Sequence, residues 1–158
     1  MLDGIQRGRE AAQADRLHDA ERCFLDALDA SRGTFTEAEL LACSSLVTLY
    51  SRENREFEAL LMARRLDPIA VRRGELWHIA HARGAVCSAL VGMQDWVRVK
   101  TALRGLEEVV AAVPEEKRAG HLVCLHGLRM EVLLQHREAG GARDLWNAAE
   151  PAFRRAES

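Results

Sequence analysis

The sequence feature that most constrains the fold is a stripe of small and large apolar residues within residues 15–30, DRLHDAERCFLDALDA. Ala20, Phe24 and Ala27 share one face of a helix, since positions i, i+4 and i+7 lie on the same side. The alanines let a neighbouring helix approach, and the phenylalanine ring fills the space between them. An amphipathic helix of this kind cannot bury its stripe alone. The segment therefore predicts a partner helix, which we place at residues 5–14.

Polar residues at regular places predict where further helices begin. Asp15, Asn54 and Asp95 each precede an amphipathic segment, and short polar side chains there are typical helix N-caps. Thr36 and Glu39 have the spacing of a capping box, in which each side chain bonds to the backbone near the other. We therefore expect a helix to begin at Thr36.

Prolines predict further boundaries. We expect one helix to end at Asp67-Pro68 and the third hairpin to begin near Pro68 or Gly74, because proline is accepted in a first helical turn but not in an interior. By the same reasoning Pro114 ends a helix, and the last helix kinks or restarts at Pro151. No stretch alternates with the period of two that a strand requires. The prediction is an all-α chain of one domain, residues 1–158, with four antiparallel helix hairpins at about 2–31, 36–66, 68–112 and 115–157.

Composition excludes several classes of protein. The chain is 48% apolar and 29% charged, which is too hydrophobic for a disordered segment. Its net charge of −2 argues against a general nucleic-acid binder, which usually carries a concentrated basic excess. A cluster of arginines at 64, 65, 72 and 73 is interrupted by acidic residues, and we interpret it as a solvated helical face. Nearly all basic residues are arginine, as is common in GC-rich bacterial genomes.

No segment approaches the ~20 apolar residues of a membrane span, and the charged N-terminal residues do not form a signal peptide. We therefore expect a cytoplasmic protein with no membrane contact. Four cysteines lie far apart without a CxxC pair, so buried free thiols are favoured over disulfides. These are Cys23, Cys43, Cys87 and Cys124.

The small-large-small spacing returns near the C-terminus at Ala142, Trp146 and Ala149. Between these stripes, Tyr50 with Ala59 and Leu90 with Val99 repeat a nine-residue relation about 40 residues apart. In these residues, together with Gly8 and Asp95-Trp96, the chain resembles the tetratricopeptide repeat family, in its longer form of about 40 residues per repeat. The resemblance covers nearly the whole chain. It implies an α-α superhelix of about four stacked hairpins.

The resemblance also implies that the first helix of each hairpin lines a concave groove that faces a partner. Two arginines there, Arg9 and Arg52, suit bidentate contacts with a partner's carboxylates. Small residues at Ser44, Gly84 and Gly127 would leave room for a ligand chain. The alternative is that these are ordinary surface residues and that the two glycines serve only helix packing. The residues that the resemblance brings to the groove are Arg9, Gln13, Thr48, Ser51, Arg52, His81, Ser88, Glu131 and Gln135.

Histidines form the one enzyme-like group in the sequence. His78 and His81 lie three apart, and the segment 121–126, HLVCLH, adds two histidines and a cysteine, which are residue types that bind zinc. His121 and His126 point in different directions on a helix, however, and no HExxH motif is present. Structural or surface histidines are therefore favoured, with no metal and no cofactor.

The sequence favours a non-enzymatic scaffold or adaptor that binds a partner protein or peptide through the concave groove. The alternative is a regulatory sensor domain that binds a small molecule or signalling peptide within the superhelix. Because an end repeat otherwise exposes an apolar face, we also expect the last helix to be covered. A second copy of the chain or the rest of a longer protein would cover Leu145, Trp146, Ala149 and Phe153.

Overall fold

The computed structural model describes residues 2–135 and 139–156, and in the second range it describes the side chains of residues 141, 143–151 and 154. These ranges form eight α-helices and no strand, so the predicted all-α fold is confirmed. The helices are α1 (Leu2–Gln13), α2 (Leu17–Ser31), α3 (Glu37–Arg52), α4 (Glu56–Arg73), α5 (Leu76–Gly92), α6 (Trp96–Ala112), α7 (Glu115–Gln135) and α8 (Ala139–Ala156).

The helices stack as a curved row of hairpins. Each helix packs against the next one in the chain, and α3 also lies against α1 and α5, and α5 against α7. Over the described ranges, the even-numbered helices do not approach one another in this way. In a stack of two rows of helices, the row whose helices touch one another is shorter than the row whose helices are separated. The stack therefore curves toward the row whose helices touch. The odd-numbered helices therefore line the concave surface of a superhelix, as predicted.

Three hairpin turns share one geometry. Asp15, Asn54 and Gln94 have φ angles of 56°, 55° and 58°, and they lie 39 and 40 residues apart. The residue after each donates its N–H to a carbonyl five residues back, at 2.9 Å in every case. Short polar residues tolerate this left-handed conformation, which explains why Asp15 and Asn54 stand there. Their predicted N-cap roles are wrong, since the caps are the following residues, Arg16 and Arg55.

Asp95 is an N-cap, as predicted, because its carboxylate accepts the N–H of Arg98 at 3.2 Å. In the third turn the left-handed position falls on Gln94, and Asp95 therefore occupies the cap itself. An acidic residue at the left-handed position of the turn has a positive φ, as Asp15 does. One residue later it caps the following helix, as Asp95 does.

Pro114 follows the end of α6 at Ala112, as predicted, but Pro68 and Pro151 lie inside helices. The helix α4 runs through Pro68 and ends at Gly74, whose φ of 69° closes it. The boundary predicted at Pro68 is therefore wrong, whereas the alternative start of the third hairpin near Gly74 is confirmed. Ile69 and Ala70, just beyond the proline, are buried, and their packing offsets the lost backbone hydrogen bond. Likewise α8 continues through Pro151, so the alternative of a restart there is also wrong.

Close helix packing in the first hairpin depends on the predicted stripe. Ala20, Phe24 and Ala27 are all buried. Gly8 on α1 faces the Phe24 ring so closely that a Cβ atom at this position would overlap it. The notch at Gly8 and the ring of Phe24 therefore fix the approach of the first two helices.

The start of α3 is held by a buried carboxylate. Thr36 is the N-cap, but its side chain makes no capping hydrogen bond. Glu39 reaches back instead and accepts the N–H groups of Gly33 at 3.0 Å and Phe35 at 2.9 Å. Arg65 on α4 donates to the same carboxylate at 2.8 Å. Burial alone would raise the pKa of Glu39, but these hydrogen bonds outweigh it and lower the pKa.

The C-terminal hairpin is described in part. Ala149 is buried, and Trp146 is 45% exposed. The side chains of Ala142 and Phe153, which belong to the predicted stripe and the predicted covered face, lie outside the described residues. Coverage of this end by another chain stays a prediction. Among the described residues no helix is long and apolar enough to cross a membrane.

Candidate functional site

The concave surface is built from one face of each odd-numbered helix. On α5 this face carries Trp77, His81 and Ser88, and on α7 it carries Lys117 and His121. Spacings of three or four residues keep such side chains on one side of a helix. Two cavities lie between the neighbouring faces of these helices.

The first cavity lies between α1, α3 and α5 and has a volume of about 360 Å³. Arg9 and Gln13 line it from α1, and Thr48 and Arg52 line it from α3. Its remaining wall includes apolar side chains and Trp77 from α5. The structure thus brings four of the predicted groove residues together at one opening.

The second cavity lies between α5 and α7 and has a volume of about 400 Å³. Three further predicted residues, Ser51, His81 and Ser88, line it. Glu131 and Gln135, also predicted for the groove, are exposed further along α7 and line neither cavity. Whether any of the nine residues contacts a partner stays a prediction.

Trp77 joins the two cavities, because its side chain lines both. Its ring is surrounded by imidazoles: the ring centroid lies 4.8 Å from that of His78 and 5.4 Å from those of His81 and His121. His81 is stacked on the indole, with 22° between the planes. Even so, Trp77 remains 42% exposed. An exposed indole held at the centre of a groove is a preformed apolar surface for a ligand.

The three imidazoles around Trp77 favour their neutral forms. Burial lowers the pKa of His78, His81 and His121, and the neighbouring histidines lower the pKa of His121 further. His81 Nε2 lies 3.4 Å from both the carbonyl oxygen of Ser44 and the hydroxyl of Thr48. By contrast, His78 Nδ1 and His121 Nε2 are buried without a hydrogen-bond partner. Both orphaned nitrogens belong to residues that line the groove.

The charged residues of the groove are all basic. Arg9 and Arg52 line the first cavity and Lys117 the second, whereas no carboxylate lines either of them. Arg52 has one acidic neighbour, Asp15, at 3.7 Å, but both side chains are largely exposed. A surface pair of this kind contributes little and is easily exchanged for a ligand. The electrostatics of the groove therefore favour an anionic group.

No group of three His, Cys, Asp or Glu side chains in the described part of the chain is arranged to hold a metal ion. Three of the four histidines that the sequence offered as zinc ligands, His78, His81 and His121, lie around the Trp77 ring instead. The four cysteines are free thiols, as predicted, but only Cys43 and Cys87 are buried, whereas Cys23 and Cys124 are half-buried.

Small residues do open the groove, though not all at the expected places. Gly84 lies on α5 opposite Cys124, whose Sγ would be 3.3 Å from a Cβ added at Gly84. Gly127, expected to be its counterpart, has no atom within 4 Å of such a Cβ and lines neither cavity. The position on α7 that faces Gly84 is therefore Cys124.

Trp77, Lys117 and His121 are the groove residues that the sequence-based selection missed. In sequence, Trp77 lies beside Leu76 and Ile79 and fits an apolar packing stripe of its helix. A signal was nevertheless present, because Trp77 lies one turn before His81, and Lys117 and His121 follow these two by one repeat of 40 residues.

Comparison of the chain with protein-family models, with curated proteins and with solved structures gives no significant match.

Proposed function

We propose that the chain is a non-enzymatic, cytoplasmic interaction module that binds a partner protein or peptide along its concave groove. The observation that supports this most directly is the pairing of two adjacent cavities that share Trp77 and carry basic residues without a lining carboxylate. A linear segment with an apolar side chain between two acidic groups matches this arrangement, because the apolar side chain would lie on Trp77 and the acidic groups beside the basic residues of the two cavities.

Recognition would combine an aromatic anchor with charge. Trp77 supplies apolar area at low entropic cost, and tryptophan and arginine are the residues most enriched at binding hot spots. Arg9 and Arg52 lie at the opening of the first cavity, where their guanidinium groups suit a partner's carboxylates. Since the neighbouring imidazoles already hold the Trp77 ring, little ordering of this anchor is needed on binding.

The contacts within the groove support binding over catalysis. The hydroxyl of Thr48 lies 3.4 Å from His81 Nε2, which is a nucleophile type beside a base type. That hydroxyl donates to the carbonyl of Ser44 at 3.1 Å, and the same carbonyl is 3.4 Å from the imidazole. The imidazole thus lacks the carboxylate that would orient it in a catalytic triad.

A tetratricopeptide-like repeat organisation is part of the proposal. Its support is the recurrence of the turns at Asp15, Asn54 and Gln94 at intervals of 39 and 40 residues, each with the same backbone conformation. Repetition of this kind is what a stack of equivalent hairpins requires.

A sensor of a small molecule or signalling peptide is the second candidate function. The buried, unpartnered nitrogens of His78 and His121 favour it, because a buried polar group without a partner is costly and a bound ligand can supply the missing bond. Thermal-shift screens with metabolite and peptide sets distinguish the two candidates, since the sensor alone should be stabilised by a free metabolite.

Affinity enrichment from a cell extract tests the interaction module. The double variant Arg9→Ala/Arg52→Ala should lose partners that the wild-type chain retains, with no fall in melting temperature, because both arginines are exposed. The matched control is Lys100→Ala/Arg104→Ala, which removes two exposed charges from α6 on the outer row. Equal recovery of every partner by the double variant and the control would remove the groove assignment.

A further inference from the structure

We infer that the cavity between α5 and α7 is a binding site for a carboxylate group, with the apolar portion of the ligand against Trp77. This rests on the proposed use of the concave groove and assigns a ligand chemistry to its second cavity. The site is defined by Lys117, His121, His81 and Trp77.

The first argument is the state of His121. Its side chain lines the cavity and is 9% exposed, and its Nε2 atom has no hydrogen-bond partner. Native proteins rarely leave a buried polar atom unpaired, and such an atom commonly marks a place where something else binds. In the tautomer that carries its proton on Nε2, the neutral imidazole would donate a hydrogen bond to an acceptor oxygen in the cavity.

The second argument is charge. Lys117 lies one turn before His121 on the same face of α7, and both residues line the cavity. Glu115 and Glu116 are close to it in sequence, but neither lines the cavity. Because no carboxylate among the described residues lines the cavity, the positive charge of Lys117 is left for a ligand to neutralise.

The third argument selects among anions. One ammonium group and one imidazole donor match a single negative charge, whereas phosphate groups usually require several cations or an arginine fork. The rest of the wall is small and largely apolar, with Ala80, Gly84 and Ala85 beside the exposed indole. A volume of about 400 Å³ lies within the range of small-ligand pockets. The arrangement therefore suits a monocarboxylate with a compact apolar group.

Two sources can present this chemistry: a free small carboxylate, or an acidic side chain next to an apolar residue in a bound peptide. N-acetylphenylalanine and its uncharged amide probe the first source. A blocked Gly-Phe-Glu-Gly tetrapeptide, whose one carboxylate is on the side chain, and its Gln analogue probe the second. Calorimetric titration gives the dissociation constant of each probe.

The chain has two lysines, which supply a matched pair of variants. Lys117→Met removes the ammonium group of the cavity, and Lys100→Met removes an exposed one on α6. At least one carboxylate probe should bind about tenfold more tightly than its uncharged analogue, and Lys117→Met should abolish that difference. Lys100→Met should preserve it. In protein labelled with ¹³C at lysine, the Lys117 side-chain signal should shift on binding while the Lys100 signal does not.

Binding of the free acid alone assigns the site to small carboxylates, and binding of the tetrapeptide alone assigns it to acidic side chains. The inference is overturned if neither acid is preferred over its analogue, or if Lys117→Met leaves the preference intact. Either result leaves the groove proposal standing, since that depends on partners lost in Arg9→Ala/Arg52→Ala.

Discussion

The hydroxyl of Tyr50 donates a hydrogen bond of 2.9 Å to the carboxylate of Glu21, which joins the inner helix α3 to the outer helix α2. Arg55 donates two more to the same carboxylate at 3.0 Å, and its guanidinium group lies 4.3 Å above the Tyr50 ring. The hydrogen bond from Arg55 is the main cause of the lowered pKa of Glu21. Burial, followed by the hydrogen bond to Glu21, raises the pKa of Tyr50 to about 12. This three-residue link connects the first and second hairpins.

Tyr50→Phe should lower the free energy of unfolding by about 1 kcal/mol, the usual net value of one hydrogen bond. Glu21 keeps its two bonds from Arg55, so the loss should not be larger. In a chain of this size that corresponds to a melting temperature about 2–4 °C lower. Urea unfolding measures it, with Thr101→Val as the control that removes an exposed hydroxyl from α6. Equal effects of the two changes would contradict the structural role of the link.

The notch at Gly8 gives a second prediction. Alanine is normally the better helix residue, by about 0.5–1 kcal/mol. At this position, however, the added Cβ would overlap the ring of Phe24, which is itself buried. We expect Gly8→Ala to destabilise the protein by about 1–3 kcal/mol, because overpacking outweighs propensity.

Gly127→Ala is the matched control for Gly8→Ala. Gly127 also lies inside a helix, but a Cβ there meets no atom within 4 Å. This change should stabilise the protein by up to about 1 kcal/mol. If urea unfolding showed both alanines to be stabilising, the close approach of the first two helices would be wrong.

The buried histidines predict a loss of stability in mild acid. Burial is the main cause of the lowered pKa values of His78, His81, His121 and His126, which lie below the ordinary 6.5. Above pH 6.5 these groups are neutral in both states, so their contribution is complete. As the pH falls below 6.5, the unfolded chain takes up protons that the folded chain resists, and stability decreases.

Urea midpoints measured between about pH 7.5 and 5 isolate the histidines, because carboxylates titrate mainly below this window. The urea midpoint of the wild-type protein should fall as the pH is lowered through this window, and the midpoint of His121→Gln should fall less steeply. A midpoint that is flat or that rises toward pH 5 would show that these imidazoles are not buried in neutral form.

The elements of the fold could be predicted because their signals are local. Helical spacing around Phe24 and the lack of alternating stretches are properties of short segments, and they identify helices without knowledge of their neighbours. The continuation of α4 through Pro68 could not be predicted in this way. It depends on the burial of Ile69 and Ala70, which is a property of the packed superhelix.

The groove residues predicted on α1, α3 and α5 line the two cavities, whereas those predicted on α7 do not. On α7 the predicted positions are displaced along the helix. The expected residues Glu131 and Gln135 follow from placing Leu133 opposite Leu90, an offset of 43 residues. The second cavity is instead lined on α7 by Lys117, Gly120, His121 and Cys124, which lie in the first half of the helix. Glu131 lies about two helical turns beyond Cys124, so the groove residues expected on α7 fall past the end of the cavity.

Trp77 shows the limit of apolar patterning. A tryptophan beside Leu76 and Ile79 fits a buried stripe equally well in sequence. Its 42% exposure arises because the groove opens between α3 and α7 on either side of it. The exposure of Trp77 therefore depends on the curvature of the whole helix stack, which no short segment of the sequence determines.

The four free thiols should differ strongly in reactivity. Burial raises the pKa values of Cys43 and Cys87 to about 12, and it also raises that of Cys124. Because the thiolate is the reactive form, iodoacetamide at about pH 8 should label the half-buried Cys23 first. Cys124, which lines the second cavity, should follow, and Cys43 and Cys87 should react only as the protein unfolds.

Peptide mass spectrometry of a labelling time course measures the four rates, and labelling in guanidinium, where the rates should converge, is the control. Rapid labelling of Cys87 in the native protein would contradict its place in the core between α5 and its neighbours. A carboxylate that occupies the second cavity should slow the labelling of Cys124 and leave that of Cys23 unchanged. The same time course therefore reports on the core and on the occupied groove.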